Sequence, residues 1–167
     1  MRTQKSNVLI SALFVVFGGP GLVLVYAPLW ITRFRVPREE TRAQIALAEA
    51  LILAGLIPLF ESIVRFVRVG RGTLVPTAPT ERLVVSGLYR RVRNPMYVSV
   101  LLSLAGETVL FRSRGLLLFL ASAWLATHLF VCFYEEPTLT RRHPQEYPLY
   151  RRHVPRWLPR ITPWRGP

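Results

Sequence analysis

Residues 8–31 contain no charged side chain, and this run limits the possible folds more than any other feature of the sequence. About 20 apolar residues in a helix cross the ~30 Å hydrocarbon core of a bilayer. Three further apolar segments cover residues 45–64, 95–111 and 115–134. The sequence therefore predicts an all-α fold, an integral membrane bundle of about four transmembrane helices that forms a single domain over residues 1–167.

The basic residues are divided unevenly between the two sides of this bundle. With four spans, both termini lie on the same side as the connection between the second and third spans. That side carries 16 of the 22 Lys and Arg residues, and the other side carries six. Because positively charged loops remain in the cytoplasm, we expect both termini to be cytoplasmic. One Lys, no Asp and many Arg residues indicate a GC-rich genome and hence the bacterial inner membrane.

The net charge of +13 raises the question of nucleic-acid binding, which requires clustered Lys and Arg side chains. In a membrane protein, Arg-rich loops beside anionic headgroups account for the same charge. We therefore expect no nucleic-acid partner. The single cysteine, Cys132, excludes an intrachain disulfide and a CxxC metal site, so no metal is predicted.

Two polar segments flank the hairpin formed by the third and fourth spans. The connection at residues 70–94 is longer than a simple helix–helix turn requires, and we predict an extended piece from Leu83 to Tyr89. The tail after Pro137 is too polar and proline-rich for another span. Because a hairpin brings its two ends together, we expect both segments to meet at the cytoplasmic surface and to form a cleft for a polar cofactor.

These two segments carry motifs in a recognisable order. Residues 86–97, with Ser86-Gly87, Tyr89 and Arg93-Asn94-Pro95-Met96-Tyr97, resemble the S-G-x-Y-x-x-x-R-H-P-x-Y segment of isoprenylcysteine carboxyl methyltransferases and related phospholipid N-methyltransferases. Residues 135–150 resemble the downstream motifs of the same family, E-E-x-x-L and E-Y-x-x-Y, in order and spacing. The resemblance covers residues 80–160.

The resemblance implies methyl transfer from S-adenosyl-L-methionine to a lipophilic or membrane-embedded acceptor at the cytoplasmic interface. It implies Glu135 and Tyr97 as catalytic residues. Carboxylates suit the hydroxyl and ammonium groups of this cofactor, and aromatic rings suit its sulfonium through cation–π attraction. The positions that the resemblance implies as cofactor-binding are Glu81, Arg82, Leu83, Val84, Tyr89, Asn94, Pro95, Met96, Tyr97, Glu135, Glu136, Tyr147 and Tyr150.

Some positions depart from the family pattern. Asn94 replaces the usual His and cannot titrate, so we expect no proton transfer there. Val131 replaces an Arg that addresses the acceptor carboxylate in prenylcysteine methyltransferases, which favours an amine, thiol or hydroxyl as the target. His128, within the fourth span, is either an acceptor-side group or a structural histidine with satisfied hydrogen bonds.

Other interpretations remain open from the residues alone. Glu61 and Arg65 have the spacing of an i, i+4 ion pair, and Glu135 and Glu136 could pair with the Arg-rich tail. An NADPH-dependent reductase of the sterol reductase type would use those arginines for phosphate, although two adjacent carboxylates would repel a pyrophosphate. A non-catalytic membrane interaction protein is the other alternative, and the family departures at Asn94, Ser99 and Val131 support it.

Overall fold

The computed structural model describes residues 13–33, 35, 41–70 and 83–166. All regular secondary structure in these residues is helical, which confirms the predicted all-α fold. A short 3-10 helix, Gly87–Arg90, precedes the third long helix. In chain order the longer helices are α1 (Leu13–Thr32), α2 (Arg42–Gly70), α3 (Pro95–Phe111), α4 (Arg114–Arg142) and α5 (Glu146–His153).

Three of these helices are long and apolar enough to cross a membrane: α1, the Arg42–Arg65 part of α2, and α4. The fourth, α3, is apolar but has only 17 residues, at the short end of the range for a membrane span. The bundle of about four apolar helices is thus confirmed. Residues 8–12 of the first predicted span lie outside the described residues, and α4 extends beyond the predicted end at residue 134.

A π-helical stretch allows α4 to continue past a proline, and the same feature is present in α1. Each helix contains a π-helical stretch shortly before a proline: Leu22–Tyr26 before Pro28, and Val131–Glu135 before Pro137. A proline lacks the amide hydrogen and its ring clashes with the carbonyl four residues earlier. The wider π turn accommodates both defects, so α4 continues through Pro137 instead of ending there.

The most extensive contact between helices joins α2 and α3. Small residues permit it, because a Cβ atom added to Gly55 would lie 2.1 Å from Oγ of Ser103. A Cβ atom added to Gly106 would lie 2.8 Å from the carbonyl oxygen of Ala48. Close backbone approach at small residues drives helix association in membranes. These positions therefore place α3 at the centre of the bundle.

A tight turn connects α3 to α4, as the sequence predicts. Arg112 ends α3 in the left-handed conformation, with φ of 45°. Ser113 then caps α4, and its hydroxyl accepts a hydrogen bond from the Leu116 amide at 3.3 Å. The turn makes α3 and α4 antiparallel, so the start of α3 lies beside the end of α4.

Residues 83–94 and 143–166 pack together at that end of the bundle, and we call them the cap. Three backbone hydrogen bonds join its two halves: Arg93 N–H to Pro155 O, Arg160 N–H to Arg91 O, and Trp164 N–H to Arg90 O, each at 2.9 Å. The core of the cap consists of the buried side chains of Tyr147, Tyr150 and Val154, with Leu83, Val85, Leu139 and Trp164 packed against them.

The predicted extended piece from Leu83 to Tyr89 is wrong in its second half. The chain is irregular up to Ser86 and then forms the 3-10 helix. Gly87 makes this turn with φ of +57°, a conformation that favours glycine. A Cβ atom there would also lie 2.5 Å from Oε1 of Glu61, so the turn sits directly against α2.

Candidate functional site

Tyr97 and Glu135 come together where α3 begins and the π segment of α4 ends. The phenol of Tyr97 donates a hydrogen bond to Oε2 of Glu135 at 3.2 Å. Within the described part of the chain, this is the one hydrogen bond that reaches the Glu135 carboxyl group, and no arginine there lies within ion-pair distance. The two residues that the resemblance implies as catalytic are therefore in direct contact.

Glu136, the next residue, has very different surroundings. Its side chain is 5% exposed, and its carboxylate accepts hydrogen bonds from Arg93 at 2.8 Å and from Arg156 at 2.6 and 2.9 Å. Arg151 lies 3.9 Å away. We call these four residues the arginine cluster. The interpretation as a salt-bridge partner of the tail is therefore confirmed for Glu136, because two of the three arginines belong to that tail.

Tyr89 is buried in the 3-10 helix of the cap, next to the Tyr97 and Glu135 pair. Burial raises the pKa of its phenol well above the usual range, and the neighbouring acidic groups of Tyr150, Glu135 and Glu61 raise it further. Glu61 therefore faces the same region from α2, a role that sequence reasoning missed. The predicted i, i+4 ion pair is also present, with Arg65 Nε 2.5 Å from Oε1 of Glu61.

Tyr147 and Tyr150 lie on the buried face of α5 and hold the cap together. The phenol oxygen of Tyr147 accepts a hydrogen bond from Arg93 at 3.0 Å, and burial raises the pKa of this phenol to about 12. Tyr150 donates to the carbonyl oxygen of Tyr89 at 2.6 Å. Burial raises the pKa of Tyr150 as well, so both phenols keep their protons near neutral pH.

The remaining candidate residues divide between the cap and the bundle. Asn94 is buried, and its amide donates to the carbonyl oxygen of Arg156 at 3.2 Å, which ties the start of α3 to the tail. Pro95 occupies the first turn of α3, where a missing amide hydrogen costs nothing. Met96 lines an apolar cavity inside the bundle together with Tyr97. Val84 is buried in the cap, where Leu83 packs on α5.

Glu81 and Arg82 lie outside the described residues. The other candidates therefore fall into two groups. Met96, Tyr97 and Glu135 surround the bundle interior, with Tyr89 beside them. The members that build or support the cap are Leu83, Val84, Asn94, Pro95, Glu136, Tyr147 and Tyr150.

His128 has satisfied hydrogen bonds, as the structural alternative predicts. The indole nitrogen of Trp157 donates to its Nδ1 at 3.1 Å, and Cys132 Sγ lies 3.6 Å from its Nε2. The ring also stacks on Trp124 with 5.3 Å between centroids. This contact fastens the tail to α4. Sequence reasoning missed it because Trp157 lies 29 residues from its partner.

Which arginines pair with Glu136 was not predicted, for a similar reason. Arg93 lies inside the recognised motif, directly before Asn94, and this position could have identified it as a partner of Glu136. Arg156 lies in a proline-rich stretch without a motif, so only the folded chain shows that it contacts Glu136.

Comparisons with known proteins give one family match. The family model described as phospholipid methyltransferase matches residues 43–146, more than half of the chain. The matched range includes α2, α3, α4, the Tyr97 and Glu135 pair, and Glu136. No curated protein and no solved structure matches the chain. With three helices long and apolar enough to cross a membrane, the chain belongs to the phospholipid methyltransferase family of membrane methyltransferases.

Proposed function

We propose that this protein transfers a methyl group from S-adenosylmethionine to a lipophilic acceptor at the membrane surface. The observation that carries the proposal is the half-buried Tyr97 and Glu135 pair, in which the carboxyl group has a phenol for a partner and no arginine among the described residues. Membership of the phospholipid methyltransferase family supports the reaction class. The cofactor and the kind of acceptor are our inference.

The chemistry of the side chains fits this cofactor. Its sulfonium and ammonium groups are cations, and a carboxylate without an arginine partner is free to serve as their counter-charge. Aromatic rings at Tyr97 and Tyr89 offer cation–π attraction to the sulfonium. Ser86 adds a buried hydroxyl oxygen that has no hydrogen-bond partner within the described residues. Buried polar atoms are normally paired, so an unpaired hydroxyl suits a bound polar group.

In this proposal the bound cofactor supplies an electrophilic methyl group. Glu135 and Tyr97 orient the reacting groups, and the Glu135 carboxylate is placed to accept a proton from an amine, thiol or hydroxyl acceptor. The cap covers the end of the bundle and limits the access of water. Correct placement of two reactants contributes a large part of the rate enhancement in such transfers.

The location explains why this chemistry uses a membrane protein. A lipophilic acceptor enters between helices from the bilayer, and a water-soluble cofactor enters from the solvent beside the cap. We place the cap in the cytoplasm, because it lies on the side with 16 of the 22 basic residues. The composition further favours the bacterial inner membrane.

Binding of S-adenosylmethionine and of its demethylated product to the purified protein in detergent tests the proposal by calorimetry. We expect micromolar binding by the wild type and a loss of at least about tenfold in Glu135→Gln, because an electrostatic partner of the cation is removed. Glu146→Gln is the matched control, since the Glu146 side chain is 70% exposed in the cap.

Transfer of a radiolabelled methyl group into a total lipid extract then tests the reaction. The proposal would be supported if the wild type and Glu146→Gln both incorporate the label and Glu135→Gln does not. Binding of NADPH in place of S-adenosylmethionine would favour the reductase alternative. An absence of binding by either cofactor would favour a non-catalytic protein.

A further inference from the structure

A partly open apolar cavity of about 320 Å³ lies between α1, α2, α3 and α4. Among the described residues, its wall carries no charged side chain, and only Tyr97 and Thr127 contribute hydroxyl groups. Met96 and Tyr97 belong to the first turn of α3, and Thr127 and Phe130 lie just before the π segment of α4. The cavity therefore occupies the half of the bundle next to the cap.

The cavity has one polar end. Tyr97 lines it and at the same time donates to the Glu135 carboxyl group, so the candidate catalytic pair borders the apolar space. Deeper in the bundle the wall consists of Val100, Leu101 and Ala123. A ligand that fits such a space has a hydrocarbon part inside and a polar group at the Tyr97 end, because burial of unpaired polar groups is costly.

Helix α1 closes one side of this cavity. Five wall residues come from it: Phe14, Val15, Gly19, Pro20 and Val23. The family model begins only at residue 43, so this wall lies outside the matched range. The polar pair is therefore provided by the family-matched helices, whereas much of the apolar wall comes from a helix outside the matched range.

We propose that this cavity binds one hydrocarbon chain of the methyl acceptor and that α1 selects the acceptor by that chain. This inference rests on the proposed function and adds where the acceptor binds, with its hydrocarbon chain in the cavity and its reactive group at Tyr97 and Glu135. The volume lies at the lower end of the range for small-molecule pockets, roughly 300–1,000 Å³. One chain suits that space, so the second chain of a diacyl acceptor remains in the bilayer.

Photocrosslinking with dodecylamine that carries a diazirine at the chain end tests the cavity directly. In the wild type we expect crosslinks at the deep end of the cavity, on α1 near Val23 and on α3 at Val100 and Leu101, mapped by mass spectrometry. Ala123→Phe fills the cavity and should lower these crosslinks about tenfold, the scale on which apolar pockets discriminate. Ala126→Phe is the matched control, because Ala126 is exposed on the same helix.

A second pair of variants tests the role of α1. Val23→Phe narrows the cavity from the helix outside the family match, and Val25→Phe makes the same change at a residue that is 48% exposed. We expect Val23→Phe to lower methyl transfer to the lipid extract about tenfold. Its affinity for S-adenosylmethionine should equal that of the wild type, which also shows that the variant is folded.

Equal crosslinking in the wild type and Ala123→Phe would overturn the proposal. So would an unchanged transfer rate in both Ala123→Phe and Val23→Phe, since the cavity would then hold only bulk lipid. Failure of the proposed function looks different, because the wild type would not bind S-adenosylmethionine although the diazirine probe would still label the cavity.

Discussion

Glu135 and Glu136 are neighbours in the chain, yet their side chains lie in regions of opposite electrostatic character. Glu136 enters the arginine cluster, where both carboxylate oxygens are bonded. Glu135 contacts Tyr97 beside the apolar cavity, where the described residues supply no positive charge. Successive side chains on a helix point about 100° apart. One turn of α4 therefore places Glu136 in the arginine cluster and Glu135 beside Tyr97.

This contrast indicates that the two glutamates have different roles. A buried carboxylate surrounded by arginines connects the cap to α4 and has no free oxygen for a ligand. A half-buried carboxyl group whose one hydrogen-bond partner among the described residues is a phenol keeps capacity for a cation or a proton. We therefore propose that Glu136 stabilises the cap and that Glu135 takes part in the reaction, and variants at the two positions should separate these properties.

The largest effect is expected from Glu136→Ala, on stability. Its removal leaves Arg93, whose side chain is 8% exposed, without a counter-charge. Breaking a buried ion pair in this way costs about 3–5 kcal/mol of unfolding free energy. Denaturation in detergent measures the change, and Glu146→Ala, at an exposed glutamate, should differ little from the wild type. A loss below about 1 kcal/mol, the value of an exposed pair, would contradict the structural role.

Glu135→Gln should lower the rate of methyl transfer strongly and the stability little. The initial rate of methyl transfer is expected to fall about hundredfold or more, the contribution of a positioned acid or base. The free energy of unfolding should change by less than about 1 kcal/mol, because only one hydrogen bond is altered. A variant with the wild-type rate would erase the proposed difference between the two glutamates.

Tyr97→Phe is expected to act through Glu135 and to have a smaller effect. The substitution keeps the ring and removes a single hydrogen bond, worth about 0.5–1.5 kcal/mol, so the rate should fall about tenfold. Tyr97→Phe combined with Glu135→Gln should be no slower than Glu135→Gln alone, since residues in one unit are not additive. Full additivity in this cycle would show that the two side chains act separately.

The smallest effect is expected from Trp157→Phe. It removes the hydrogen bond from Trp157 to His128 and should cost about 1 kcal/mol of stability. Proteolysis of the tail should become faster, while the transfer rate stays near that of the wild type. Trp30→Phe is the control, because Trp30 is 81% exposed. A loss of methyl transfer without a change in proteolysis would indicate that His128 takes part in the reaction and not in holding the tail.

The helical bundle was predictable because its cause is local. Runs of apolar residues long enough for a bilayer define spans whatever the rest of the chain does, and α3 has the predicted bounds. The effect of proline on the helix ends was harder to predict from the sequence. The fourth span was predicted to end at residue 134, three residues before Pro137, but a π turn at Val131–Glu135 carries α4 onward.

The order of motifs along the sequence determined the reaction class and brought Tyr97 near Glu135, because a hairpin returns the chain to its starting side. The tertiary structure decided how two adjacent glutamates differ, since Arg93 and Arg156 reach Glu136 from 43 and 20 residues away. It also decided that α1 closes the cavity. Packing between distant segments sets burial and charge around a side chain, and local residue patterns do not contain that information.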